Sequence, residues 1–147
     1  MSAPLQRDVL RLAREMLVRL DELARATGRA LACEVSRAAV VRAAVTAWLD
    51  VAESRPLDFM SQAIRAAAKR PPARFQPCPQ RWPAALAVRL EQFARSSKRA
   101  LSCRVSPSVV VRVAVAVWFD TALASPAVVT EAIRAARVPR GRKRATQ

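Results

Sequence analysis

The sequence predicts a mainly α-helical protein made of two similar halves, and an internal repeat and the amino-acid composition support this prediction. Residues 18–52 and 88–122 align without a gap at an offset of 70, and 19 of the 35 aligned pairs are identical. The composition favours helices over a sheet, because the chain has only 2 glycines and several runs of alanine and valine. The net charge of +15 on 147 residues bears on the function and not on the fold, because it favours an anionic partner. An offset of 70 exceeds the roughly 20–50 residues of solenoid repeats and therefore indicates a duplicated small domain.

The duplication predicts two copies that face each other within one chain, as the subunits of a homodimer do. Small folds gain most from such a partner, because they bury too little surface alone. We place the first repeat at residues 1–70 and the second at 71–137, after a proline-rich linker at 70–80. Residues 138–147 are a strongly basic tail, which we expect to be disordered.

The helical part of each half begins with an amphipathic segment. In the first half apolar residues recur at helical spacing from Arg11 to Arg29, and Gly28 is the expected stop because glycine readily adopts a left-handed cap. The second half repeats the pattern, with Pro83 at the first helical position. Ser36 and Ser106 match helix N-caps, which open a second helix in each half.

The second helices carry wide apolar faces, which we assign to the core. The expected core anchors are Trp48, Trp118, Leu20 and Leu90. Between the first and second helices, apolar residues alternate at positions 31, 33 and 35, which indicates either a short strand or an extended loop. A third helix closes each half, at Leu57–Lys69 and at Pro126–Arg137.

Several classes of protein are not expected. The most apolar segment, Val109–Ala124, contains Arg112 and Asp120, so we expect no transmembrane helix and no membrane partner. With 3 cysteines and no histidine, the usual zinc ligands are missing, and we expect neither a metal nor another cofactor. We interpret Cys33 and Cys103 as small core residues in a reducing cytosol, with a disulfide as the alternative. The lack of histidine and tyrosine also argues against an enzyme.

The charge indicates an anionic partner. The chain has 26 basic and 11 acidic residues, and residues 71–147 are the more basic half, with 14 basic and 3 acidic side chains. Such a charge on a small chain attracts polyanions, nucleic acid first. The alternative, codon bias in a GC-rich genome, explains the excess of arginine over lysine but not the scarcity of acids.

The order of these segments resembles the ribbon-helix-helix family of bacterial DNA-binding proteins, of the Arc and MetJ repressor type. The resemblance is carried in the first half by RLAREMLVRLDELARATGR followed by SRAAVVRAAVTAWL, and in the second half by RWPAALAVRLEQFAR followed by SPSVVVRVAVAVWF. The chain departs from the family in a longer turn, because ALACEV or ALSCRV precedes the capping serine. It departs also in Pro77 and Pro79 of the second strand, although prolines two apart can both face away from a partner strand.

The resemblance implies that one strand from each half pairs antiparallel into a β-ribbon that enters the major groove of DNA. The expected fold is therefore mainly α with a short two-stranded antiparallel β-ribbon, in which two ribbon-helix-helix-like repeats form an intramolecular pseudo-dimer. Because side chains alternate along a strand, Arg7, Val9 and Arg11 share one face, and Arg81 takes the position of Arg11 in the second half. These four residues are the candidates for base contacts, since arginine suits guanine; the alternative is an ordinary solvated side chain.

The resemblance also implies phosphate contacts at the start of the second helices, where backbone N–H groups and the helix dipole attract anions. The alternative for the two serines there is a cap without a ligand. Together with the basic tail, the phosphate candidates are Ser36, Arg37, Ser106, Arg140, Arg142, Lys143 and Arg144.

The function implied is sequence-specific binding of double-stranded DNA by a bacterial transcriptional repressor or antitoxin-like autoregulator in the cytoplasm, at the nucleoid. The partners expected are double-stranded DNA, further copies of the protein on DNA, and a toxin or other protein. Two alternatives stay open. One is a sequence-independent nucleoid-associated or RNA-binding protein, and the other is a helical protein–protein interaction module whose charge only keeps it soluble.

Overall fold

A computed structural model describes residues 6–55, 58–69 and 75–136 of the chain. These ranges contain six helices and two strands, in the order β1 (Gln6–Ala13), α1 (Arg14–Leu31), α2 (Arg37–Ala52), α3 (Asp58–Lys69), β2 (Phe75–Trp82), α4 (Ala84–Leu101), α5 (Pro107–Ala124) and α6 (Pro126–Ala136). The prediction of a mainly helical fold with a short two-stranded antiparallel sheet is confirmed.

The two strands form a ribbon whose register follows the internal repeat. β1 and β2 pair antiparallel from Gln6 opposite Trp82 to Ala13 opposite Phe75. The register is symmetric about the pair Val9–Pro79, whose members are 70 residues apart, the same offset that aligns the two halves.

One face of the ribbon is buried against the helices. Its members are Leu10, Leu12, Cys78, Gln80 and Trp82, none of which is more than 1% exposed. They occupy alternate positions in each strand, as a half-buried ribbon requires. Apolar burial on this face fixes the register, because a slip by one residue would turn the whole set into solvent.

The first helix of each half begins and ends later than the pattern predicts. α1 begins at Arg14 rather than Arg11, since β1 continues to Ala13. The prediction of a stop at Gly28 is wrong, because α1 continues to Leu31 and the left-handed residue that ends it is Ala32, with φ 53°. A Cβ at position 28 would lie 2.8 Å from the carbonyl oxygen of Cys33, so the glycine allows the chain to fold back closely rather than ending the helix.

The two halves end their first helices in the same way and open their second helices with the expected serines. Ser102, with φ 52°, is the left-handed residue after α4, and Pro83 is its N-cap rather than its first residue. Part of the predicted strand or loop is therefore helix, and only residues 32–36 and 102–106 form the connecting turns. Ser36 Oγ accepts from the amide of Ala39 at 3.2 Å, and Ser106 Oγ accepts from that of Val109 at 3.4 Å.

The third helices lie close to their predicted ranges, and the linker is shorter than expected. α3 and α6 match the predictions apart from Leu57 and Arg137, which lie outside the described residues. Residues 75–80 of the expected linker are part of strand β2. The basic tail at 138–147 also lies outside the described residues.

The core is one cluster to which both halves contribute. Trp48, Trp118, Leu20 and Leu90 all lie in it, and none is more than 7% exposed. α2 packs on α5, α6 of the second half packs on α2, and α3 of the first half packs on α5. The ribbon covers this bundle, with β1 against α5 and β2 against α2.

Helix α5, which contains the apolar segment Val109–Ala124, has the length and composition of a membrane-spanning segment in spite of Arg112 and Asp120. In the structure it contacts α2, α3 and α6, and its residues Val110, Val111 and Val115 are fully buried in the shared core. We therefore interpret α5 as a core helix.

Candidate nucleic-acid interface

The outward face of the ribbon carries the arginines expected to contact bases. Arg11 and Arg81 are exposed and alternate with the buried positions of their strands. The register places Arg11 opposite Pro77 at one end of the ribbon and Arg7 opposite Arg81 at the other, with Val9 at the centre. We call these the Arg11 end and the Arg81 end.

Both prolines of β2 occupy positions at which the backbone N–H of a strand residue would not donate to the partner strand. Residues opposite each other in an antiparallel pair alternate between pairs that exchange hydrogen bonds and pairs that do not. The amide of Arg11 donates to Ser108 Oγ at 3.2 Å, and its carbonyl accepts from Arg112 Nη1 at 3.0 Å. The Arg11–Pro77 pair is therefore one that exchanges no hydrogen bonds. The Val9–Pro79 pair, two positions along the ribbon, is of the same type. Neither proline removes a bond from the ladder.

Two equivalent arginines fasten the ribbon to the helices of the opposite half. Arg112 Nη1 donates to the carbonyl of Arg11, and Arg42 Nη1 donates to the carbonyl of Arg81 at 3.4 Å. Both donors and both acceptors are 70 residues apart, so the contact is reciprocal. Arg42 also donates through Nε to the carbonyl of Ala136 at 3.3 Å, and its burial lowers its pKa. These contacts hold the outward arginines in place from behind.

The N-terminus of a helix lies on each side of the ribbon. That of α5 lies beside β1, because Ser108 in its first turn accepts the amide of Arg11. That of α2 lies beside β2, because Gln80 Nε2 donates to the carbonyl of Ala38 at 3.1 Å. The first N–H groups of a helix lack intrahelical partners and the helix dipole is positive there, so each N-terminus attracts an anion.

Arg37 differs from the other phosphate candidates because it is paired with an acid. Its Nε and Nη2 donate to the two carboxylate oxygens of Asp21 at 2.8 and 2.6 Å, and its Nη1 lies 4.0 Å from Cys78 Sγ. The hydrogen bond to Arg37 holds the pKa of Asp21 below its usual value, and the same bond raises the pKa of Arg37. Arg37 therefore joins α2 to α1 in this structure instead of presenting an unneutralised cation.

The remaining candidates divide between those placed and those not described. Ser36 and Ser106 are exposed caps at the two helix N-termini. The tail candidates Arg140, Arg142, Lys143 and Arg144 lie outside the described residues, as do the side chains of Arg7 and Val9. The described part of the chain has no group of three or more metal-binding side chains, and its three cysteines form no disulfide.

The residues that support the ribbon are not among those predicted from the sequence. Ser108 and Gln80 gave no signal, because a serine after a helix cap and a glutamine in a proline-rich segment are ordinary. Arg42 and Arg112 did give a signal in the sequence. They are identical residues 70 positions apart, each within an apolar helix, and this pattern indicates buried cations with a specific partner.

Comparisons with protein families, curated proteins and solved structures find no match to this chain.

Proposed function

We propose that this protein binds double-stranded DNA sequence-specifically, by inserting the outward face of its ribbon into the major groove. We propose further that it acts as a bacterial transcriptional repressor or antitoxin-like autoregulator. Its two halves take the places of the two subunits of a ribbon-helix-helix dimer.

The observation that carries the proposal is the grouping of four groups that attract anions, two arginines and two helix N-termini, on one surface. Arg11 and Arg81 are exposed on the ribbon, and a helix N-terminus adjoins it on each side. A two-stranded ribbon fits the major groove, and guanidinium groups read guanine there. Helix N-termini bind phosphates and so fix the register of a protein on the duplex.

The pseudo-dimer is supported by the symmetry of the contacts. The ribbon is symmetric about a pair of residues separated by the repeat offset, and Arg42 and Arg112 make reciprocal contacts across the two halves. In a homodimer, the strand pairing and the arginine contacts would each join the same residues of two identical subunits.

The test is the selection of bound sequences from a random duplex pool by the full chain, followed by binding measurements on variants. A specific binder keeps a preference of about a thousandfold or more over random DNA at physiological salt. We expect Arg11→Ala and Arg81→Ala each to relax the preference at one half-site, at a cost of about 1–3 kcal/mol.

Arg55→Ala is the matched control. It removes the same charge beyond the far end of α2, about 25 Å along the helix axis from the N-terminus that adjoins the ribbon. We expect it to leave the selected sequence unchanged. If the two ribbon variants weaken binding to all sequences equally, the ribbon does not read bases.

A second candidate is a sequence-independent nucleoid-associated or RNA-binding protein. The observation that favours it is the excess of 14 basic over 3 acidic residues in the second half. In that case the selection enriches no sequence although binding is strong at low salt. A chain that binds no nucleic acid at low salt would instead be a protein–protein interaction module.

A further inference from the structure

A cavity of about 400 Å³ lies between the third helix of the first half and the turn before α5 of the second half. Arg65 and Ala68 of α3 line one side, and Leu101, Cys103 and Arg104 line the other. No acidic side chain is among these lining residues, and no ion pair in the described ranges involves either arginine. Two unneutralised guanidinium groups at one cavity are suited to a phosphate, which they can bind through paired N–H groups.

The cavity belongs to the same flank of the molecule as the Arg11 end of the ribbon. Arg104 precedes the capping residue Ser106 by two positions, and α5 begins immediately after that cap. In the first turn of α5, Ser108 contacts the backbone of Arg11. A DNA strand whose phosphate meets the N-terminus of α5 would therefore pass close to Arg104.

On the other flank, the equivalent positions differ in charge or in ion pairing. The repeat aligns Arg104 with Glu34, which reverses the charge in the turn before α2. After the single-residue deletion that aligns Ile64 with Ile133, Arg65 corresponds to Arg134. The guanidinium of Arg134 lies 3.2 Å from Glu131, so an acid already neutralises it.

We infer that the cavity between α3 and the turn at 102–106 is a phosphate-binding site that takes a phosphodiester of the bound duplex, on the Arg11 flank only. The inference rests on the proposed DNA binding and assigns a role to the third helix and to the lengthened turn, which is one of the departures from the family that the chain resembles. The two ends of the ribbon then make different kinds of contact with DNA. The Arg81 end has arginines in both strands to read bases, whereas the Arg11 end has one arginine opposite a proline and gains a phosphate contact.

The test compares the wild type with the double variant Arg65→Ala/Arg104→Ala on the selected duplex. The readouts are the dependence of affinity on salt and the interference map of ethylated phosphates. We expect the slope of log K against log salt to fall by about 0.9 for each phosphate that the variant no longer binds. Interference should disappear at phosphates on one side of the site, while the preferred sequence stays the same. Melting curves verify that the variant is folded.

A second variant reverses the asymmetry by adding a cation instead of removing one. Glu34→Arg places a positive charge in the turn before α2, and we expect it to steepen the salt slope and to add interference on the opposite side of the site. Arg55→Ala, which changes the net charge by one beyond the far end of α2, again serves as the control for a charge change away from the ribbon.

The outcomes separate this inference from the proposed function. If the wild type binds a specific sequence and the double variant leaves slope and interference unchanged, the phosphate site is refuted and DNA binding stands. If the wild type binds no duplex, both fail together. If inorganic phosphate raises the melting temperature of the wild type but not of the double variant, and interference is unchanged, the cavity holds a free anion and the assignment to DNA is wrong.

Discussion

At the scale of single residues, the arginines of this chain fall into distinct roles according to what surrounds them. Arg42 is buried and holds a strand carbonyl, Arg37 is paired with Asp21, and Arg11 and Arg81 are exposed on the ribbon. Net charge alone therefore overstates the number of cations available to a polyanion. Only arginines without an acidic or buried partner contribute fully to attraction in solution.

Arg42→Ala should destabilise the protein, because it leaves the carbonyl of Arg81 without this donor and opens a void beside the ribbon. Losing a hydrogen bond from a buried charged group costs about 1.5–3 kcal/mol. Denaturant unfolding of the variant, compared with Arg55→Ala, measures this cost. An unfolding free energy equal to that of the wild type would show that Arg42 does not fasten the ribbon.

The pair of Asp21 and Arg37 predicts a pH dependence of stability. The pKa of Asp21 is lower in the folded protein than its ordinary value, so the pair stabilises the fold at neutral pH, and this contribution is lost as the pH falls through the folded-state pKa. Because both side chains are more than a third exposed, we expect less than about 1 kcal/mol. The difference in unfolding free energy between the wild type and Asp21→Asn should shrink from about pH 7 to pH 3. A difference that is constant with pH would contradict this assignment.

At the scale of the elements, contacts between helices of opposite halves build the core. The rings of Trp48 in α2 and Phe93 in α4 meet edge to face, with centroids 5.0 Å apart and an interplanar angle of 79°. At the same interface Arg89 of α4 pairs with Asp50 and Glu53 of α2. Each half therefore depends on the other for part of its packing.

Trp48→Ala should cost about 3–5 kcal/mol, because a large buried side chain leaves a cavity that the helices fill only in part. Since the tryptophan contacts the opposite half, we expect both halves to unfold in one transition at a lower denaturant concentration. Val51→Ala, at an exposed position of the same helix, is the control. A variant in which only the first half loses stability would contradict a shared core.

The sequence predicted those elements whose signals are local. Serine caps and apolar periodicity lie within a few residues of the structure they specify, so Ser36 and Ser106 mark their helices correctly. The ends of α1 and α4 could not be predicted, because the left-handed residues are Ala32 and Ser102 and the only nearby glycine lies inside a helix. Strand β2 was predicted only through the resemblance and not from a local signal, because it forms by pairing with β1, about 70 residues away, and contains two prolines.

At the scale of the whole molecule, fusion of two halves allows the two sides of one surface to diverge. The core positions remain alike, as Trp48/Trp118 and Leu20/Leu90 show. The outer positions differ, with Glu34 in one turn and Arg104 in the other. A homodimer cannot make such changes on one side only, so covalent linkage of the two repeats is what allows equivalent positions to carry different charges.

The shared core predicts that neither half is stable alone. An isolated half, residues 1–70 or 71–147, lacks the partner strand of the ribbon and exposes the surface that α2 and α5 bury against each other. A two-stranded ribbon cannot form within one half, and so small a chain buries too little surface to compensate. We expect each half to be unfolded as a monomer, or to fold only as it dimerises, so that its helical signal rises with concentration. Mixing the halves should restore a single cooperative transition. Circular dichroism and sedimentation over a range of concentrations make the measurement, and two stable, monomeric halves would rule out the shared core.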